Sequence, residues 1–105
     1  MILDEPTLRF IRSRLSRRHL VLLSILVKAQ PHGLTKDGLI KACRQYPEMS
    51  RSVVDSHIMA LYVPGLIDMT PEGPATVYKI NEENGFRMGD ILAQDGTLTD
   101  DGELR

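Results

Sequence analysis

Ser52 to Ile67 reads S-V-V-D-S-H-I-M-A-L-Y-V-P-G-L-I, and the way this stretch ends decides the fold. Val54, Ile58 and Leu61 recur at spacings of four and three, which is one stripe of a helix. Ser50 stands where an N-cap belongs. Val63-Pro64-Gly65 stops the helix: Pro64 biases Val63 toward extended backbone, and Gly65 takes a positive φ readily. Leu66-Ile67-Asp68-Met69 then reads as a strand and Thr76-Val77-Tyr78-Lys79-Ile80 as its partner, with Thr70 to Ala75 as the turn. The stretch therefore predicts a helix running straight into a β-hairpin.

Upstream, the pattern is helical three times. Asp4-Glu5-Pro6 opens a short helix, with Leu8, Ile11 and Leu15 on one side and Arg9, Arg12 and Arg14 on others. Ser16 is placed to cap a second helix, Arg17 to Ala29. That helix is apolar over most of its circumference, so it needs cover on more than one side, from the N-terminal helix or from a second subunit. Gln30-Pro31-His32-Gly33 ends it, and Gly33-Leu34 forms an extended link. Thr35 is the N-cap of a third helix with Leu39, Ile40 and Cys43 inward. Gly38 within it either admits a close neighbour or is a tolerated defect. After Asn81 the pattern weakens. Phe86, Met88, Ile91 and Leu92 suggest a brief helix, but Gly85 and Gly89 oppose it, and the acidic stretch Gly96 to Arg105 is expected to be loosely held.

The chain has 105 residues, enough for one domain with a mainly aliphatic core, since Trp is absent. The organisation expected is an N-terminal helix over 1–14, a domain over 15–82, and a short, partly disordered acidic extension over 83–105. Cys43 is the one cysteine, so no internal disulfide forms. The start has no signal-peptide pattern and no apolar run approaches a membrane span, which makes a cytoplasmic protein the expectation. His19, His32, His57 and Cys43 have no metal-site spacing, no glycine-rich phosphate loop is present, and the carboxylates gather in the tail. No enzyme, metal or cofactor is expected.

Net charge is -1, but residues 1–51 carry ten Arg or Lys against four Asp or Glu, while residues 52–105 carry three against ten. Such asymmetry marks either a basic binding face beside an acidic region, or two ends (or two subunits) that attract each other.

Helix, link, helix, helix, hairpin is the order of a winged helix-turn-helix module. On Ser52–Ile67, together with L-S-R-R-H-L-V-L-L-S-I-L and G-L-T-K-D-G-L-I-K-A upstream, the chain resembles winged-helix DNA-binding domains, MarR-like or related small prokaryotic or phage regulators. The resemblance covers roughly Leu15 to Ile80 and rests on framework positions. It implies an α+β, mainly α fold with an extra N-terminal helix and a two-stranded wing. It also implies sequence-specific double-stranded DNA binding by a small transcriptional regulator, a repressor acting as a dimer on an operator. The N-terminal helix and the open side of Leu20–Ala29 would supply the dimer surface.

The residues it points to are Arg51, Ser52, Asp55 and Ser56 on the outer face of the helix from Ser50. Arg51 suits phosphate or a guanine edge, the serines suit phosphate, and Asp55 accepts from cytosine while repelling backbone. Arg17, Arg18 and Lys36 at helix starts, and Lys79 in the hairpin, are the further basic candidates. The hairpin tip departs from the pattern, with Glu72 and no base. Met59, Tyr62 and Val63 are apolar beyond what the inward stripe needs. These departures favour an alternative, a winged-helix protein–protein interaction module in a nucleic-acid-processing assembly.

Overall fold

A computed structural model describes residues 1–105. The elements are α1 (Glu5–Arg14), α2 (Arg17–Lys28), β1 (Leu34–Thr35), α3 (Lys36–Ala42) with a 3-10 turn (Cys43–Gln45), α4 (Arg51–Tyr62), β2 (Ile67–Glu72), β3 (Ala75–Ile80) and α5 (Asn84–Gln94). The caps fall where the sequence puts them. Asp4 accepts from the Thr7 amide at 2.9 Å, Thr35 from Gly38 at 3.2 Å, and Ser50 from Val53 at 3.4 Å. Each satisfies an amide that the first helical turn leaves without a partner.

The core is built around α2. Val21 to Leu26 are all buried. On one side α4 lays Val54, Ile58 and Leu61 against the same core, as the stripe predicted. Leu66 and Ile67 follow at 0% and 1% exposure, so the chain enters the sheet without leaving the core. Truncating any of these leucines to alanine would cost about 2–5 kcal/mol.

The strands form an open antiparallel sheet in the order β1-β3-β2. The link expected to be merely extended pairs with the hairpin, Leu34 opposite Tyr78 and Thr35 opposite Val77, so the sheet has three strands where two were expected. The hairpin is also tighter than expected. β2 continues through Pro71 to Glu72, which faces Ala75, and only Gly73 and Pro74 turn, with Gly73 at φ +64°. Pro71 is tolerated because β2 is an edge strand, where a missing N–H need not break the ladder.

The C-terminal region corrects the sequence reading most. Residues 84–94 are helical, and the tail is packed instead of loosely held. Asn81 leads into α5, its Oδ1 accepting from the amides of Glu83 at 2.9 Å and Asn84 at 2.7 Å. Leu98 is buried and bridges to Leu104. The buried Ser24 hydroxyl donates to the Gly102 carbonyl at 2.6 Å, fixing the tail across α2. The side of α2 expected to be open for a second subunit is thus closed by the chain itself. The N-terminus is tied down as well: the Asn84 side chain accepts from the Leu3 amide at 2.8 Å and donates to the Met1 carbonyl at 2.7 Å. The result is a small mixed α+β domain, mostly helical.

The two glycines that argued against α5 differ. A Cβ on Gly85 would strike the Leu66 carbonyl and come within 2.6 Å of Ile80 Cγ2, whereas a Cβ on Gly89 meets nothing within 4 Å. Gly85 is there for close approach. Gly89→Ala is expected to stabilise the fold by up to about 1 kcal/mol through helix propensity. Gly85→Ala should destabilise it by roughly 1–3 kcal/mol through overpacking. Urea denaturation of the two variants checks both signs.

Candidate nucleic-acid interface

α4 turns Arg51, Ser52, Ser56 and Met59 to solvent, with Asp55 half-buried on one flank. Two further helix starts meet α4. On the Asp55 flank, Lys36 opens α3, and its ammonium makes an ion pair with the Asp55 carboxylate. That hydrogen bond holds the Lys36 ammonium above its ordinary value, against the opposing field of Arg51. On the other flank lies the start of α2. The Arg17 guanidinium is 3.4 Å from Glu48, just before the Ser50 cap, and the His19 and His57 rings stand 4.5 Å apart, tilted by 47°. Three helix N-termini, each with a cation in its first turn, therefore converge on one side of the domain. Helix N-termini and Arg or Lys both favour phosphate oxygens.

Arg17, Lys36, Arg51, Ser52, Asp55 and Ser56 are thus brought together, with Arg18 beside Arg17 and exposed. Their states differ. Arg18 and Arg51 make no ion pair, whereas Arg17 and Lys36 are each held by a carboxylate. Ser56 donates to the Val53 carbonyl at 3.1 Å, and its oxygen also lies 3.1 Å from His57 Nδ1. Lys79 stands apart. It lies opposite Asp68 in the hairpin and lines a polar cleft with Leu26, Gln30, Glu82 and Phe86. Leu26 is roughly 14 Å along α2 from Arg17. Sequence order placed Lys79 in the wing; the register places it at the far end of the sheet.

Two of the remaining basic residues of α1 and α2 are held by the acidic half, and Arg14 pairs with no carboxylate. Arg12 binds Asp95 at 2.9 Å and Thr97 at 2.9 Å, and Lys28 binds Glu103 at 2.9 Å. Arg9 pairs with Glu5 within α1. Two of these pairs join the two ends of the chain, so part of the charge asymmetry is an attraction between them. Arg14, Arg18, Lys41, Arg44 and Arg51 are exposed and make no ion pair.

His19 is the residue whose role the sequence reading missed. Its Nδ1 accepts from the Ser16 amide at 3.0 Å, the position that Glu or Gln fills in a capping box. Its signal was its spacing, three residues after Ser16. Burial pushes the His19 pKa below its ordinary value, and His57 pushes it further. A lowered histidine pKa means that the unfolded chain binds the extra proton first. This contribution to stability is therefore complete above the unfolded value of about 6.5 and declines as pH falls below it toward the folded-state value. Between about pH 7.5 and about pH 5.5 the urea midpoint should fall in the parent chain and fall less in His19→Gln. Equal slopes would show that His19 is not the group responsible.

No family model, curated protein or solved structure matches the chain.

Proposed function

We propose that the chain is a winged-helix protein that binds double-stranded DNA in a sequence-specific way, as a small transcriptional regulator that represses as a dimer. In this reading α2, α3 and α4 are the three helices of the module, α4 is the recognition helix, and β2–β3 is the wing. The observation that carries it is the convergence of the α2, α3 and α4 N-termini, with Arg17, Arg18, Lys36 and Arg51, on the one side of α4 that the core leaves uncovered. Arg51 is the base-reading candidate, since it is exposed and unpaired. The others position the duplex through phosphate. The wing tip, Glu72-Gly73-Pro74, carries no cation, so it stands near the backbone as a rigid edge and adds no charge.

Asp55 and Glu48 are internal competitors for phosphate. Each holds a cation that would otherwise reach the duplex, and each adds a negative charge to the face. Exposed pairs of this kind contribute about 0–1 kcal/mol, so phosphate can displace the carboxylate at modest cost.

A second reading, a protein-binding winged helix, draws on a different observation. Met59, Tyr62 and Val63 are exposed at 44%, 42% and 78%, and Tyr62 and Val63 line an open cleft with Met1. In that case α4 would meet protein through its C-terminal end.

Binding to a random-sequence duplex across a salt series separates the two. Four phosphate contacts give a slope of about −3 to −4 in log K against log salt. Asp55→Asn should bind tighter and steepen the slope by up to about one. Arg51→Ala should cost about 1–3 kcal/mol on the preferred sequence and relax specificity there. Lys79→Ala should change nothing. Absence of binding at low salt would remove the DNA reading.

A further inference from the structure

The dimer in the proposed function needs a surface, and with α2 enclosed the candidate is the outer side of α1. Charge is segregated along α1. Asp4 and Glu5 stand at its start, Arg9 near its middle is paired with Glu5, and Arg12 and Arg14 are in its last turn. Opposite the buried Leu8, Phe10 is 62% exposed, with the Arg14 guanidinium 5.5 Å from its ring centroid. An exposed phenylalanine with a cation over its face is a ready-made contact that has no partner within this chain.

The complementary surface lies at the other end of the same helix. Ile2, Leu3 and Phe86 line an open groove edged by the carboxylates of Asp4, Glu5, Glu82 and Glu83. Ile2 is 66% and Phe86 43% exposed. Arg87, the one cation in the groove, is turned inward onto the Leu3 carbonyl. The groove is apolar at its floor and acidic at its edge, and α1 of a second copy offers an aromatic flanked by guanidinium.

We infer that two copies of this chain associate about a twofold axis through antiparallel α1 helices, the Phe10–Arg14 end of each meeting the Ile2–Phe86 groove and the Glu82–Glu83 edge of the other. An antiparallel pair is the arrangement that satisfies both charge segregations at once. Arg9 and Arg12 are already held by Glu5 and Asp95, so the free cation is Arg14, and this arrangement places it beside the Glu82–Glu83 edge of the other copy, twice. A twofold contact requires this reciprocity, since residue i meets j and j meets i. Parallel pairing would set Arg14 against Arg14 and Glu5 against Glu5. The inference rests on the dimer in the proposed function, but its test needs no DNA.

Sedimentation of the full chain tests it. The parent should show a monomer–dimer equilibrium that weakens as salt rises, and Phe10→Ser should weaken it at least about tenfold, as loss of a central aromatic anchor does. Arg14→Glu alone and the pair Glu82→Lys, Glu83→Lys should each be monomeric, because both halves of the contact then repel. Mixing those two proteins should restore a heterodimer, and one chain carrying all three changes should dimerise again. These positions are exposed, so the fold is not at stake; circular dichroism verifies it. A parent that stays monomeric, or reversals that are not rescued by the swap, would overturn the inference. Loss of DNA binding with the dimer intact would count against the function and leave the interface standing.

Discussion

A helix that is apolar all round cannot be left with an open side, and α2 is such a helix. Six consecutive residues, Val21 to Leu26, are buried. At about 25 cal/mol per Å² of apolar surface, an uncovered side would forfeit several kcal/mol. Most of the structure follows from enclosing it. α4 takes one side, β3 another, and the tail, held by Ser24 and Gly102, a third. α4 can expose Arg51, Ser52, Ser56 and Met59 only because its opposite stripe is spent on α2. The hairpin leaves α4 at Gly65, whose φ of +87° lets the chain reverse at once into Leu66.

Electrostatics follows from the same packing. Closing the tail over α2 brings the acidic half onto the basic half, and Asp95 and Glu103 take Arg12 and Lys28. These partly exposed pairs contribute little individually. Their larger effect is on distribution, because they take two cations of α1 and α2 and leave Arg18 and Arg51 as unpaired cations at the starts of α2 and α4. The face has a restrained charge as a result, since Glu48 and Asp55 hold two of its cations. On the proposed DNA reading, a face of this kind would hold phosphate weakly by charge alone and would depend on what Arg51 adds at the bases. His19 joins the two properties. It closes the first turn of α2 through Ser16 and meets His57 on α4, so protonation there loads the helix junction beneath the proposed contact surface.

Much of this was legible in the sequence. The start at Asp4-Glu5-Pro6, the caps at Thr35 and Ser50, the Val54-Ile58-Leu61 stripe and the break at Pro64-Gly65 are local signals, and α1, α3 and α4 begin where their local chemistry says. The helix order and the outward residues of α4 follow from periodicity alone. What was not legible depends on contacts between distant parts. Pro71 reads as a turn residue until β2 is known to be an edge strand. Gly85 reads as a helix breaker until the Leu66 carbonyl is placed against it. Nothing near Ser24 in the sequence points to its acceptor, the Gly102 carbonyl 78 residues on. The tail looked unstructured because its composition is polar, yet Leu98 and one hydroxyl are enough to anchor it. Lys79 was assigned to the interface by its place in the hairpin, and strand register moved it away.

The central claim is that the α4 side, framed by three helix N-termini, meets duplex DNA. Backbone amide shifts of the isotope-labelled chain, followed through titration with a random-sequence duplex at low salt, test it residue by residue. The account predicts that perturbations gather at Arg17–Leu20, Lys36–Gly38 and Arg51–Ser56, with Lys79 and the tail unmoved. Perturbations confined to Met1, Tyr62, Val63 and Phe86, or none at all, would contradict it.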